Sequence, residues 1–258
     1  GSSDAHYVRG IANKAFRRGF NVVRLNQRNC GGTEHLSPGL YHSGLTHDPV
    51  AVLRELAGED GLGPFVVAGY SLGGNLALRL AGEFADEAPR WLAAVCAVSP
   101  TLELAACMDM LERPSNRLYE WNFAQSLQRR LRRKAALFPG AFDTRGLWRI
   151  WSVRDFDERY TAPHHGFTDA ADYYHRAASM RLVDRIRVPT LVITAEDDPF
   201  IPAEPFRDPR VTGNPNITLM VTEHGGHCGY VEQARDGYDG YWAEQAIVAF
   251  ASAHTRTG

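Results

Sequence analysis

Short apolar runs alternate along the chain with longer stretches whose apolar residues recur every three or four positions. The runs at 20–25, 65–68, 92–98, 188–194 and 217–221 read as strands. Residues 6–18, 49–56, 75 to about 85, and 241–253 read as helices. Ser3 or Asp4 is placed to cap the first and Gly19 to end it, and Asp48 is placed to cap the second. Buried strands separated by helices predict an α/β fold, a mostly parallel sheet covered on both faces.

From Thr101 to Arg187 the strand rhythm stops. The interval carries Trp121, Trp148, Trp151 and several arginines, and its spacing is helical. Unbroken intervals of this length inside a domain are usually lids or disordered, and the aromatic content argues against disorder. The expected organisation is therefore a core at 1–100, a helical cap at 101–187 and the rest of the core at 188–258. Within the cap, residues 128–134 form a basic run interleaved with Leu127, Leu131 and Leu137. Such a run ordinarily reads as a solvated helix face with an apolar stripe; the sharper reading steers anionic, lipid-like substrates or membrane surfaces toward the cap.

The chemistry begins at Val67–Asn75, VAGYSLGGN, where a lone serine sits between a strand-like and a helix-like run. Gly69-Tyr70-Ser71-Leu72-Gly73 fits the G-x-S-x-G turn that exposes a serine hydroxyl between strand and helix. Small residues two positions either side of Ser71 let the two elements cross closely. A serine hydroxyl needs a base to become a nucleophile and an acid to orient that base, in the chain order serine, acid, histidine. Asp198, ahead of Pro199-Phe200-Ile201-Pro202, is the preferred acid, with Glu196 and Asp197 left as solvated loop carboxylates. His227, beyond the glycine pair of TEHGGHCGY, is the preferred base, and His224 is read as strand-terminal and structural. The amide of Leu72 is one expected donor to a developing oxyanion.

Composition narrows the classes. The 258 residues hold 28 Lys and Arg against 30 Asp and Glu, a net charge of −2, which makes no case for nucleic acid. Four scattered cysteines, Cys30, Cys96, Cys107 and Cys228, suit reduced thiols and a cytoplasmic setting better than a disulfide framework. No apolar run reaches the length of a membrane span. The loop at 26–33 lacks the lysine of a phosphate-binding loop and reads as a structural turn. Tyr41-His42-Ser43-Gly44 reads as bracing for the site. His164 and His165 are adjacent and lack a third ligand at metal-binding spacing, so neither a metal nor a cofactor is expected.

The stretches GSSDAHYVRGIA, LNQRNCGGTEH, LYHSGLTHD, VAGYSLGGN, LFPGAFD, HGFTDAADYYHRAAS, RVPTLVITAEDDPFIP and EHGGHCGY cover nearly the whole chain. Together they resemble the YheT-like branch of the α/β-hydrolase superfamily. The resemblance implies an α/β-hydrolase fold and a triad of Ser71, Asp198 and His227. It also implies hydrolysis of carboxylic esters, lipid-like ones among them, with acyl transfer to alcohols as the alternative. In that branch a Gly-Ser-Ser continues an HGLEG-like oxyanion loop, so Gly1–Ser3 suggests a fragment of a longer protein whose earlier strands and second oxyanion donor lie upstream. Loss of one such donor costs on the order of 10²–10³ in turnover, which leaves an inactive fragment as a third expectation.

Overall fold

Parallel strands buried on both faces need apolar side chains at successive positions, and LAAVCAV and TLVITA supply them. The computed structural model describes residues 2–255. Strands β1 (Phe65–Tyr70), β2 (Leu92–Val98), β3 (Thr190–Ala195) and β4 (Ile217–Thr222) form one parallel sheet in the order β1-β2-β3-β4. Helices α1 (His6–Arg17) and α2 (His47–Gly58) precede β1, and α3 (Leu72–Phe84) follows it. Between β2 and β3 lie α4 (Leu104–Leu111), α5 (Arg117–Leu137), the short α6 (Val153–Phe156) and α7 (Ala162–His164), and α8 (Ala170–Ala177). Helix α9 (Pro209–Thr212) precedes β4, and α10 (Trp242–Thr255) follows it.

Successive residues of β2 point to opposite faces of the sheet. Val95 and Ala97 pack with Leu53 of α2 and Leu78 and Leu80 of α3. Cys96 and Val98 pack with Tyr7 and Ile11 of α1 and Ala243 and Ile247 of α10. The sheet is thus covered on both sides, as the alternating pattern implies.

Three local expectations are corrected. Residues 20–25 run extended but pair with no strand, and the edge of β1 away from β2 is likewise unpaired among the described residues. Helix α1 starts after Ala5 with no side-chain cap from Ser3 or Asp4, although Gly19, at φ 88°, does end it. Asp48 lies inside the first turn of α2 instead of capping it. Its carboxylate takes Arg28 Nε at 2.9 Å and Nη2 at 2.5 Å, a fork that ties the 26–33 loop to α2.

The basic run is also corrected. It lies on α5, but Gln128, Leu131 and Lys134 face inward and are buried, and only Arg129, Arg132 and Arg133 are exposed. Gln128 Nε2 donates to the Ile150 carbonyl at 2.7 Å, and the Lys134 ammonium donates to the carbonyls of Glu34 and Ser37. Burial pushes the Lys134 pKa down. This half of the run therefore holds α5 to the loop before α2.

Asn75 of α3 joins the sheet core to the segment after α8. Its Nδ2 donates to the carbonyls of Ser43 at 2.8 Å and Ala177 at 2.9 Å, and its Oδ1 accepts Ser179 N–H at 2.8 Å. The side chain is fully buried, so its removal strands three backbone groups away from water. Asn75→Ala is expected to lower unfolding stability by about 3 kcal/mol, read as a lower urea midpoint at unchanged slope.

Candidate active site

The turn between β1 and α3 sets the site. Ser71 has φ 52° and ψ −121°, a backbone conformation that costs energy for any residue with a Cβ. It is held there from both sides: its N–H donates to Val98 O at 2.8 Å, and its carbonyl accepts Asn75 N–H at 3.1 Å. A Cβ on Gly69 would lie 2.1 Å from the Gly73 carbonyl oxygen, so strand and helix cross with no room for a side chain. The tight position on the helix side is Gly74, where a Cβ would sit 3.0 Å from Pro100 Cβ. At Gly73 a Cβ would meet nothing nearer than Gln27 Nε2 at 3.8 Å, so of the two motif glycines expected to permit the crossing only Gly69 is crowded at its Cβ position.

The structure brings Ser71, Asp198 and His227 together. His227 Nε2 is 3.0 Å from Ser71 Oγ, and His227 Nδ1 is 3.0 and 3.2 Å from the two Asp198 oxygens. Asp198 Oδ1 also accepts the N–H groups of Phe200 at 2.9 Å and Ile201 at 3.1 Å. The Asp198 side chain is fully buried and that of His227 is 21% exposed. Leu72 opens α3, so its N–H is one of the first-turn donors that have no helical acceptor, and it lines the same cavity as Ser71.

Asp197 and Glu196 are not idle carboxylates. Asp197 Oδ1 accepts Gly225 N–H at 2.9 Å and Gly226 N–H at 2.7 Å, so it fixes the loop that carries His227. Gly225 packs so closely that a Cβ there would sit 2.5 Å from the Tyr230 ring, and the Tyr230 hydroxyl is 2.8 Å from Ser99 Oγ. Glu196 pairs with Arg207 at 2.6 Å. His224 is solvent-exposed, 3.5 Å from Asp197.

Burial alone would lower the His227 pKa, but the hydrogen bond to Asp198, with smaller help from Cys228, outweighs it and raises the value to about 10. The sign follows directly: Asp198 favours the imidazolium, so its contribution to stability is complete below the unfolded histidine value and is lost as pH rises through the folded one.

Ser71 and His227 open into a cavity of about 320 Å³. Its walls are mainly apolar, with Leu104, Met108, Phe123, Leu127 and Phe200 among them. Phe200 stands edge-on to the His227 ring, centroids 5.0 Å apart, and Phe123 stands edge-on to Phe200 at 5.9 Å. Polar side chains interrupt the apolar lining, Asn29, Tyr41, Arg130 and Asp157 among them. Burial raises Asp157 to about 6, while its oxygens accept the hydroxyls of Thr161 at 2.6 Å and Tyr174 at 2.9 Å. Arg130 was hidden in the basic run. Helical spacing from Phe123 and Leu127 was the signal that could have placed it on the cavity stripe of α5.

The Tyr41–Gly44 stretch divides its work. Tyr41, His42 and Ser43 all reach the cavity wall, and Ser43 also braces the core by bonding Tyr173. His42 stacks on His165 with centroids 4.3 Å apart, and burial keeps its pKa low, near 3. Gly1 of the expected oxyanion-loop remnant lies outside the described residues. Ser3 N–H donates to Asn26 Oδ1 at 2.7 Å, and Ser2 lines a second cavity of about 300 Å³ along the open edge of β1.

The chain belongs to the alpha/beta hydrolase fold family, whose model matches residues 1–234. It is 35% identical over 233 residues to "Putative esterase YheT" of Escherichia coli (strain K12), covering 90% of this chain and 68% of that protein. It is 30% identical to "Phospholipase ABHD3" of Mus musculus, covering 95% of this chain but only 58% of that protein. It is also 30% identical to "Medium-chain fatty acid ethyl ester synthase/esterase 2" of Saccharomyces cerevisiae (strain ATCC 204508 / S288c), covering 97% and 59%. The chain thus spans roughly three fifths to two thirds of the length of these relatives. Among solved structures, the Pyrococcus furiosus esterase Pf2001 superposes with a TM-score of 0.61 at 17% identity, over 99% of this chain and 80% of that one. Fold and sequence kinship agree that the chain is a member of the alpha/beta hydrolase superfamily. No helix among the described residues is long and apolar enough to cross a membrane.

The His227 ring is expected to titrate well above the ordinary 6.5, followed by the ring-proton shifts in NMR. Asp198→Asn should bring that titration down toward the ordinary value; an unchanged midpoint in the variant would remove Asp198 as the cause.

Proposed function

We propose that this chain is the catalytic core of a serine carboxylic-ester hydrolase working through an acyl-enzyme. The observation that carries the reading is the 3.0 Å contact of His227 Nε2 with Ser71 Oγ, backed by Asp198 on the other ring nitrogen. In its neutral form, a fraction that grows as pH rises toward about 10, His227 takes the Ser71 proton as the hydroxyl attacks the ester carbonyl, and it then returns that proton to the departing alkoxide. Asp198 fixes the ring so that Nε2 faces the serine, and it stabilises the imidazolium that forms. The Leu72 amide, beside Ser71 at the positive end of α3, donates to the oxyanion. Water then attacks the acyl-enzyme by the same proton path in reverse. The segment from 101 to 187 acts as a helical cap that supplies most of the apolar cavity wall.

The apolar lining fits a hydrocarbon portion of the ester better than a sugar or peptide. The names of the relatives, a phospholipase and a fatty acid ethyl ester synthase/esterase, point the same way. An alcohol entering in place of water would turn the same intermediate into a new ester, a reading that the synthase/esterase name favours.

Ser71→Ala is expected to lower kcat on an activated acyl ester by 10⁴–10⁶, order of magnitude, with KM little changed. A fluorophosphonate should label Ser71 in the unsubstituted chain and not in the variant. Full turnover by Ser71→Ala would end this assignment. Adding an alcohol to the ester assay distinguishes the two outcomes by product: free acid alone for hydrolysis, or a new ester for transfer.

A further inference from the structure

Helix α5 crosses the cavity with one stripe facing it, Phe123, Leu127 and Arg130 at successive helical spacings. Its Phe123 end lies at the reacting pair, because Phe123 touches Phe200 and Phe200 touches the His227 ring. Arg130 lies seven residues further on, which at a rise of about 1.5 Å per residue is roughly 10 Å along the helix axis. A guanidinium fork therefore stands in a mainly apolar wall, beside the Tyr41 hydroxyl and that far along α5 from Phe123.

Among the described residues no carboxylate touches that fork; Glu34 acts on it only at longer range while pairing with Arg133. Arg130 Nη1 donates to the Tyr41 hydroxyl at 3.3 Å and to Cys30 Sγ at 3.5 Å, two long contacts. Burial holds the Tyr41 phenol in its neutral form, pushed up to about 12. No carboxylate lies within 4 Å of Arg130 among the described residues. Arg28 has Asp48, Arg133 has Glu34 at 3.5 Å, and Arg154 has Asp109 and Glu112; Arg129 and Arg132 also lack a carboxylate but are exposed to solvent, whereas Arg130 is half-buried. Asp157 lines the same cavity but is engaged by Thr161 and Tyr174. A half-buried guanidinium with spare donors and no counter-ion is costly alone and favourable once an anion arrives, and its planar fork matches a carboxylate or a phosphate.

We propose that the cavity takes esters that also carry an anionic group, a carboxylate or a phosphate, gripped by Arg130 about 10 Å along α5 from Phe123, the residue that stands against the Phe200–His227 ring pair. This rests on the ester-hydrolase reading and adds a substrate class to it. The hydrocarbon between the two groups lies along Leu127 and Phe123, and the anion sets which bond reaches the serine. Neutral esters of equal length lose this anchor and bind less selectively.

The test measures binding separately from turnover. Calorimetric titration of the unsubstituted chain with decyl phosphate, decanoate and decanol should give at least tenfold tighter binding for one or both anions than for the alcohol. A preference for the phosphate identifies a phosphate-bearing ester, and a preference for the carboxylate identifies a half-ester of a dicarboxylic acid. Arg130→Met keeps the length of the side chain and should abolish the preference, while Arg130→Lys should retain part of it. In the assay, the ratio of kcat/KM for a 4-methylumbelliferyl half-ester of a dicarboxylic acid, or for a phosphate-bearing ester, to that for a neutral ester should fall about tenfold in Arg130→Met. Equal binding of all three ligands by the unsubstituted chain overturns the proposal, as does an equal loss for decanol and the anions in Arg130→Met, which marks a packing role only. A chain that binds the anions through Arg130 yet hydrolyses no ester refutes the hydrolase reading and leaves the anion site standing.

Discussion

One backbone torsion governs the rest of the site. Ser71 is held at φ 52° because Val98 takes its N–H and because strand and helix meet at Gly69 and Gly74 without side chains between them. Relax that turn and the hydroxyl drops back toward the sheet, away from His227. Strain of this kind persists only where neighbouring contacts over-determine it, and here they come from β2, the first turn of α3 and Pro100 together. The parallel sheet is thus the clamp that keeps a disfavoured conformation in place.

Two adjacent acids show how finely the loops are divided. Asp198 turns inward, accepts two backbone amides and meets the imidazole. Asp197 turns outward and pins Gly225 and Gly226, the hinge of the histidine loop. One carboxylate orients the ring and its neighbour positions the chain that bears it. Loss of either would displace the same nitrogen, by different routes.

The main lines of this arrangement were legible in the sequence. The Ser71 turn, the acid at Asp198 and the histidine after the glycine pair each depend on local turn chemistry that a short motif records. Strands β1 to β4 were legible because each carries a run of apolar or β-branched residues between turn signals. Residues 20–25 looked the same, yet being a strand depends on a partner as well as on side chains, and composition carries no information about the partner. The cap of α2 was misplaced because Asp48 is claimed by Arg28, a contact across 20 residues. Arg130 and Lys134 looked like solvated charges because a run of like residues hides which of them face inward. Only the helical phase relative to Phe123 and Leu127 separates the buried half from the exposed half.

The open edge of β1 has a dynamic counterpart. Phe65 and Ser71 direct their amides to Trp91 and Val98, so the peptide groups alternating with them along the strand face away from the sheet. Deuterium uptake along the strand that carries Ser71 then alternates residue by residue, fast on one side and slow on the other, while β2 and β3, bonded on both flanks, exchange slowly throughout.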